Sequence, residues 1–551
     1  MSWLKNRFSR AHRSRKQSQI ALREKHEPGT PTPVNETIFQ GFEWHTPGGH
    51  WTRLSAALQT YADLGITSIS LPPGCKANQP NGNGYDCYDL WDLGEFEQKG
   101  TRSTKWGSRE ELRELIDKAK SLGIAIIWDA VLNHKTAGDT TEECWAVEVD
   151  PEDRRKEITK PRKIEPWIHY SFPGRGDKYS SMKWHWGHFN GTDWDQRAER
   201  HAIYKIIDPP DAKGRRSKGG KDWAQDVDDE NGNFDYLMFS NIDYANPEAR
   251  QEALNWGAWM LSDEVGVSGF RLDAFKHVSW HFAREWTAHV RAASPDRSVF
   301  VVGEYWTGEV EKLVKWVDRV GAHTYDAPLL NNFSALSRAA VARRSSLGPP
   351  QIVDLRAIYK NTLVAARPGR AVTMVTSHDT QQGQTMDTPV VPFFKPLAYA
   401  LTLLRADGLP CVFYGDVHGT RGPFAAPPAC GGKLPLLLLL RRFFAYGEQT
   451  DYFDQRTAVG WVRHGTWDRP DGCAVVMSVA GPARNGMSVG RWAAGQTWVD
   501  ALGGVKEKVV LDERGCGEFG CGTRSVSVWV REESVPAELW ENVGRGDGFK
   551  L

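Results

Sequence analysis

The sequence predicts an α/β fold: a (β/α)8 (TIM) barrel with an irregular lobe inserted after strand three and a C-terminal antiparallel β domain. Three observations lead there. From Thr37 to about residue 455 of the 551, short apolar runs alternate with helical stretches, the rhythm of strand–helix–strand units. That rhythm breaks once, for about 130 residues between the third and fourth strands. After about 455 the pattern changes to short alternating strands. A doubly wound open sheet is the runner-up, but no G-x-G-x-x-G opens a helix after the first strand.

Taken in order, residues 1–33 are basic at the start, end in Pro28-Gly29-Thr30-Pro31-Thr32-Pro33, and are expected to form a disordered tail. Ile38 to Phe42 reads as the first strand, Trp51 to Leu64 as an amphipathic helix, and Ile66 to Leu71 as a second strand stopped by Pro72-Pro73. Glu110 to Leu122 reads as a helix stopped by Gly123, with the third strand at 124–129. Further strands are expected at 267–272, 299–303, 322–325, 371–376 and 410–414. The run from Leu434 to Leu440 reads as a buried helix start.

The barrel is thus divided into 34–134 and 246–455, and the lobe occupies 135–245, rich in Trp, Gly, Asp and Asn. Within the lobe, the polar and basic stretch 208–221 is expected to be a mobile loop. A β-sandwich is expected at 456–531 and a polar tail at 532–551.

Composition narrows the partners. Lys plus Arg and Asp plus Glu both number 69, so there is no electrostatic case for nucleic acid or a membrane surface. No run approaches the roughly 20 apolar residues of a membrane span. The 24 tryptophans suit a protein that stacks sugar rings. Eight cysteines are scattered without a metal spacing and are expected to be reduced thiols. Met1 to Lys25 has no apolar core of a secretory signal, so a cytoplasmic protein is expected; the basic N-terminus leaves an organellar transit peptide open. A monomer is expected.

The chemistry centres on Gly269-Phe270-Arg271-Leu272-Asp273-Ala274-Phe275-Lys276-His277. Strand side chains alternate faces, so Arg271 and Asp273 point the same way. A neighbouring arginine favours the ionised carboxylate, which suits a nucleophile. Asp129, Glu304 and Asp379 likewise end apolar runs, which gathers four acids at the C-terminal tips of four strands. That is where barrel active sites assemble. Two acids with opposite protonation tasks on one bond are the equipment of a retaining glycosidase.

Four stretches carry a resemblance. Asp129-Ala130-Val131-Leu132-Asn133-His134, the Gly269–His277 stretch, Val302-Gly303-Glu304-Tyr305-Trp306 and Ser377-His378-Asp379 resemble the four signature regions of the α-amylase family of glycoside hydrolases, in order and in strand assignment. From Thr37 to about Val530 the chain is similar to bacterial liquefying α-amylases and their intracellular fungal relatives, through Phe172-Pro173-Gly174-Arg175-Gly176, the stretch Asn231 to Met238 and Tyr414-Gly415-Asp416.

The resemblance implies Asp273 as nucleophile, Glu304 as acid/base and Asp379 as the carboxylate gripping the sugar hydroxyls. It implies Tyr85 stacking on that sugar, His134, Arg271 and His378 hydrogen-bonding around it, and Lys276 and His277 on the leaving-group side. It also implies one structural Ca2+ between lobe and barrel, on Asn133, Asp235, Asn241 and the His277 carbonyl, all hard oxygen donors. Asn241 departs from the family's usual Asp. Ala224 and Ala245 stand where relatives carry further acidic ligands, so no second calcium is expected. Ser377 replaces a usual Asn; if the strand continues to Asp379, it should leave a gap beside His378 and Asp379.

The activity implied is endo hydrolysis of α-1,4-glucan in starch, glycogen or maltooligosaccharides. The alternatives are a 4-α-glucanotransferase acting on intracellular α-glucan, possible in cell-wall α-glucan formation, and a non-catalytic glucan-binding protein, against which the intact Asp273, Glu304 and Asp379 argue.

Overall fold

In the computed structural model, which describes residues 30–296, 298–342 and 353–536, eight parallel strands close into a barrel. They are β1 (Ile38–Gln40), β2 (Ser68–Ser70), β3 (Ala125–Ala130), β4 (Gly269–Leu272), β5 (Phe300–Gly303), β6 (His323–Tyr325), β7 (Ala371–Met374) and β8 (Leu409–Phe413). Each pairs with its neighbours in sequence, and β1 closes on β8 with Ile38 opposite Cys411. The strands are short but apolar on both faces, as a parallel sheet wrapped in helices requires: Ile126, Val301, Val372 and Val412 are all buried.

Local signals set the helix ends. Arg109–Ser121 opens on a capping box in which Ser108 and Glu111 satisfy each other's backbone amides, a device worth about 1 kcal/mol. Pro247–Leu261 starts on Asn246 with proline in its first turn, and Val310–Val320 stops at Gly321 in the left-handed region. Leu434–Phe444 is the expected buried helix.

The inserted lobe is more regular than its composition implies. It holds a six-stranded antiparallel sheet in the order His134–Lys135, Ser240–Ile242, Phe189–Asp195, Arg200–Ile207, Cys144–Glu148, Arg162–Ile164. Its first strand is the direct continuation of the chain leaving β3, so barrel and lobe share a seam. Buried polar side chains such as Asn190, Thr192 and Asp195 occupy these strands and hide them from a hydrophobic-period reading. Within 208–221, Asp211 accepts hydrogen bonds from the amides of Lys213 and Arg215.

After the barrel, a six-stranded antiparallel sheet runs from Gln449–Tyr452 to Val526–Arg531, faced by the pair Ala483–Ser488 and Cys516–Cys521. Val462, Val476, Met487, Trp498, Phe519 and Trp529 fill the space between. The first of these strands begins a few residues before 456. Thr32 is tied to this domain, donating from its amide and hydroxyl to Asp468. The rest of the N-terminal tail, residues 1–29, and most of the C-terminal tail, 537–551, lie outside the described residues. All eight cysteines are free.

Candidate active site

Arg271 is the hub. It leaves β4, is almost fully buried, and meets four carboxylates: Nη1 reaches Asp129 at 2.6 Å and Asp273 at 3.0 Å, and Nη2 reaches Glu304 at 2.8 Å and Asp379 at 3.8 Å. Asp129 belongs to β3, Asp273 and Glu304 follow β4 and β5 directly, and Asp379 lies in the loop after β7. The side chains expected on one rim therefore do converge. Gly303 makes room for the approach of β5 to its helix, because a Cβ there would fall 2.2 Å from the ring of Trp316.

Beyond Asp273 the chain turns through Ala274 in the left-handed region, φ 57° and ψ 30°. This turn aims the Ala274 amide at Glu304 Oε2, 3.2 Å away. Glu304 thus receives one hydrogen bond from the guanidinium and one from the turn that follows Asp273.

Burial pushes Glu304 up to about 7, opposed by Arg271 and reinforced by the charges of Asp273 and Asp379. Burial also pushes Asp273 up, to about 6, so Arg271 offsets the cost of its charge only in part. For Asp379, burial acts upward, but the proton that His378 presents and the charge of Arg271 outweigh it, and the carboxyl is held below its ordinary value. Three acids in one pit are thereby spread over different affinities for the proton, the condition for dividing acid and nucleophile roles.

His378 has its tautomer set by Gln40. The Gln40 Oε1 accepts from the His378 amide at 3.1 Å, so its Nε2 donates to His378 Nδ1 at 2.8 Å. The ring proton then sits on Nε2, facing Asp379 at 2.9 Å and the Tyr85 hydroxyl at 2.7 Å. Tyr85 in turn donates to Asp129 at 2.8 Å. Its ring lies nearly parallel to those of His378 and Trp44, within 7° and 8°. Gln40 and Trp44 were not expected here; the only signal of Gln40 is a polar residue in an apolar strand.

His134, buried with its pKa lowered to about 4 by desolvation, has both ring nitrogens engaged: Nε2 with the Tyr85 carbonyl at 2.8 Å and Nδ1 with Asn133 at 3.2 Å. It holds the backbone of Tyr85. Lys276 reaches Glu230 of the lobe, and His277 Nδ1 bonds the Phe234 carbonyl at 2.8 Å. Both therefore clasp the lobe segment that crosses the rim.

Ser377 is a correction. β7 ends at Met374, so Ser377 is not a strand residue and the strand parity with Asp379 does not apply. Its hydroxyl instead accepts from the amides of Asp379 at 3.3 Å and Thr380 at 3.2 Å, closing a turn that the Gln381 amide completes at the Ser377 carbonyl. The serine is thus engaged in this turn, and it lines the same cavity as His378 and Asp379.

The expected calcium ligands gather at the seam. Asn190, missed in the sequence, bridges them: its Nδ2 donates to Asp235 at 2.7 Å and its Oδ1 accepts from Asn241 at 2.8 Å. Asn241 faces His134 across the ladder, beside Asn133, and His277 grips the residue before Asp235. Asp235 is buried among neutral donors, the Ala224 amide included, and its pKa rises to about 7 through desolvation. The Asn241 Oδ1 is buried with no hydrogen-bond partner. A desolvated carboxylate beside an orphaned amide oxygen fits a hard cation. Next to it, Asp243 already has Lys221 as counter-ion.

Another group, His185, His188 and Glu248, brings its ligand atoms within 4.8 Å. Each histidine Nδ1 accepts from a backbone amide at 3.1 Å, which leaves the proton on Nε2; His188 donates it to Glu248 at 3.0 Å. That is a hydrogen bond where a metal would need a lone pair.

A closed parallel barrel with buried acids meeting on one arginine at its C-terminal rim is the architecture of a barrel glycoside hydrolase. The chain belongs to the α-amylase family: the family model "Alpha amylase, catalytic domain" matches residues 6–427. It is 40% identical over 512 residues to an alpha-amylase of Bacillus licheniformis, covering 92% of this chain and 95% of that one. It is 39% identical over 516 residues to a cytoplasmic alpha-amylase of Escherichia coli (strain K12), covering 91% and 100%. The crystal structure of an alpha-amylase from Geobacillus thermoleovorans shares the fold, with a TM-score of 0.58 at 17% identity over 91% of this chain and 98% of that one. The protein is a glycoside hydrolase of the α-amylase type, acting on α-glucans.

Proposed function

We propose that the protein cuts internal α-1,4 bonds of starch, glycogen or maltooligosaccharides with retention of configuration. The observation that carries this is the pairing of Asp273 and Glu304 on the two outer nitrogens of one guanidinium, with Glu304 the more reluctant of the two to ionise. Asp273 attacks the anomeric carbon while Glu304 passes its proton to the departing glycosidic oxygen. In the second half, Glu304 takes a proton from water, the water oxygen bonds to the same carbon and Asp273 leaves. Asp379, with the Nε2 proton of His378, holds the hydroxyls of the sugar being distorted.

The pH dependence follows. Asp273 must be ionised, so activity falls as pH drops through about 6; Glu304 must be protonated, so it falls as pH rises through about 7. A bell-shaped dependence, with both limbs raised by burial above the ordinary carboxylate range, is expected for kcat/KM on maltoheptaose. Early products followed by NMR should carry the α configuration and be shorter than the substrate. A β-anomer appearing first would sink the double displacement, and a majority of elongated products would assign the 4-α-glucanotransferase.

One structural calcium is inferred, held by Asp235, Asn241, Asn133 and the His277 carbonyl. When bound it supplies a fixed positive charge across the lobe–barrel seam; no catalytic step passes through it. A cytoplasmic monomer is our reading of the cell context; the location is supported by the naming of the E. coli relative. Among the described residues no helix is long and apolar enough to cross a membrane.

A further inference from the structure

The loop after β8 carries an exposed apolar tip from Gly422 to Pro428 that the mechanism above leaves unused. It is closed by its own hydrogen bonds: the Thr420 amide donates to the Ala426 carbonyl and the Ala426 amide to the Thr420 hydroxyl, both at 2.9 Å. Two prolines follow and restrict it further. The ring of Phe424 is half exposed at 50%. Single exposed phenylalanines are ordinary on protein surfaces. The seat of this one is less so.

The Phe424 ring lies directly on Gly383, where an added Cβ would come within 2.3 Å of it, and a Cβ added at Gly422 would fall 2.5 Å from the ring of His45. Gly383 is part of the loop that leaves from Asp379 and returns to it, the Met386 amide donating to the Asp379 carbonyl at 3.3 Å. Met386 also lines the same cavity as Arg271, Glu304 and Asp379. Phe424 therefore sits at the rim of the cleft, where the ends of β7, β8 and β1 meet. In the closed strand order these three are neighbours, and β4 and β5, which carry Asp273 and Glu304, lie on another arc.

Direction along the cleft follows from the chemistry. Glu304 protonates the leaving oxygen, so the departing chain runs out past β5 and the clasped lobe segment. The groups assigned above to the retained sugar, Asp379 and His378, lie with the parallel ring of Trp44 on the arc of β7 and β1, and the retained chain is taken to leave on that side. A flat phenyl face offers the C–H bonds of a glucose ring an apolar surface.

We propose that Phe424 is a sugar-stacking subsite for the retained part of an α-glucan, remote from the cleaved bond, and that it selects which bond of a long chain is cut. The proposal rests on the hydrolytic reading above. The test compares Phe424→Ala and Phe424→Trp with wild type on maltoheptaose labelled at its reducing end and on maltotriose. The alanine variant should lose roughly three- to tenfold in kcat/KM on maltoheptaose and shift the label to fragments of different length, with tryptophan restoring both. Maltotriose turnover should not change. If Phe424 merely props the Asp379 loop, alanine lowers kcat on both substrates and leaves the fragment pattern as it was; that result, or no change at all, overturns the proposal. If wild type cleaves neither sugar, the hydrolytic reading itself fails. Phe424 is then judged by calorimetry with maltoheptaose, where equal affinity of wild type and Phe424→Ala overturns the subsite.

Discussion

At the barrel mouth, four carboxylates share the guanidinium of Arg271; at the seam with the lobe, Asp235 is met by the amides of Asn190 and Ala224. Both places bury acid, and desolvation raises the proton affinity of Asp235 and Glu304 alike, to about 7 in each case. The difference lies in the source of positive charge. The mouth carries its own cation on a rigid strand, so its acids can be charged or neutral according to their task. The seam carries none on Asp235, and its Asn241 oxygen has no hydrogen-bond partner, which leaves the charge of Asp235 without a resident counter-ion. A buried acid with a resident cation can serve chemistry; one without is suited to sensing what the solvent supplies.

The largest effects that would break this comparison are on activity. Asp273→Asn and Glu304→Gln should each lower kcat by roughly a thousandfold or more, because each removes a bond-making group. Neither should lower the melting temperature, since each relieves like-charge crowding around Arg271. A variant that keeps more than a tenth of wild-type turnover would undo the role assignment. One that keeps its inactivity but melts well below wild type would show the acids to be structural.

Next in size is the response to calcium. With the ion a hundredfold above its Kd, binding should stabilise the fold by about 2.7 kcal/mol. A chelator should therefore lower the melting temperature and activity together, and metal analysis should find one calcium per chain. Asp235→Asn should melt at the same temperature with and without chelator. If that variant still responds fully, the ion sits elsewhere.

The smallest effect sharpens the picture of the mouth. Ser377→Ala removes the acceptor of two turn amides and should cost about 1 kcal/mol and some activity, by loosening Asp379. Ser377→Asn can cap the same turn and should stay within about 0.5 kcal/mol of wild type with kcat unchanged. A clear gain in kcat on soluble starch would show that asparagine fills a gap beside His378.

What the amino-acid sequence disclosed, and what it hid, follows from where each residue finds its partners. Barrel strands are buried on both faces and so announce themselves as continuous apolar runs. The strand Phe189–Asp195 buries Asn190, Thr192 and Asp195, whose partners are hydrogen-bonding groups, and no hydrophobic period marks it. The acids were legible because each ends an apolar run inside a recognisable motif. Gln40 was not, since its partner His378 lies 338 residues away. The β7 boundary was misplaced for a local reason: the apolar run continues through Val375, but a hydroxyl two residues later captures the amides and turns the chain.

One feature of the mouth bears on how the site tolerates change. The bond from the Ala274 amide to Glu304 is made by main chain, at a residue whose backbone is already in the left-handed region. Apart from proline, which has no amide hydrogen, no substitution at 274 deletes that donor; other residues disturb it only by moving the backbone, which for a β-branched residue at this φ means strain. Under the proposed roles, the spacing of acid and nucleophile is thus tied to the turn itself more than to any side chain at 274. Neighbouring loops can be rewritten for new chain lengths while the distance between the two reacting carboxyls stays inherited from the bend that joins them.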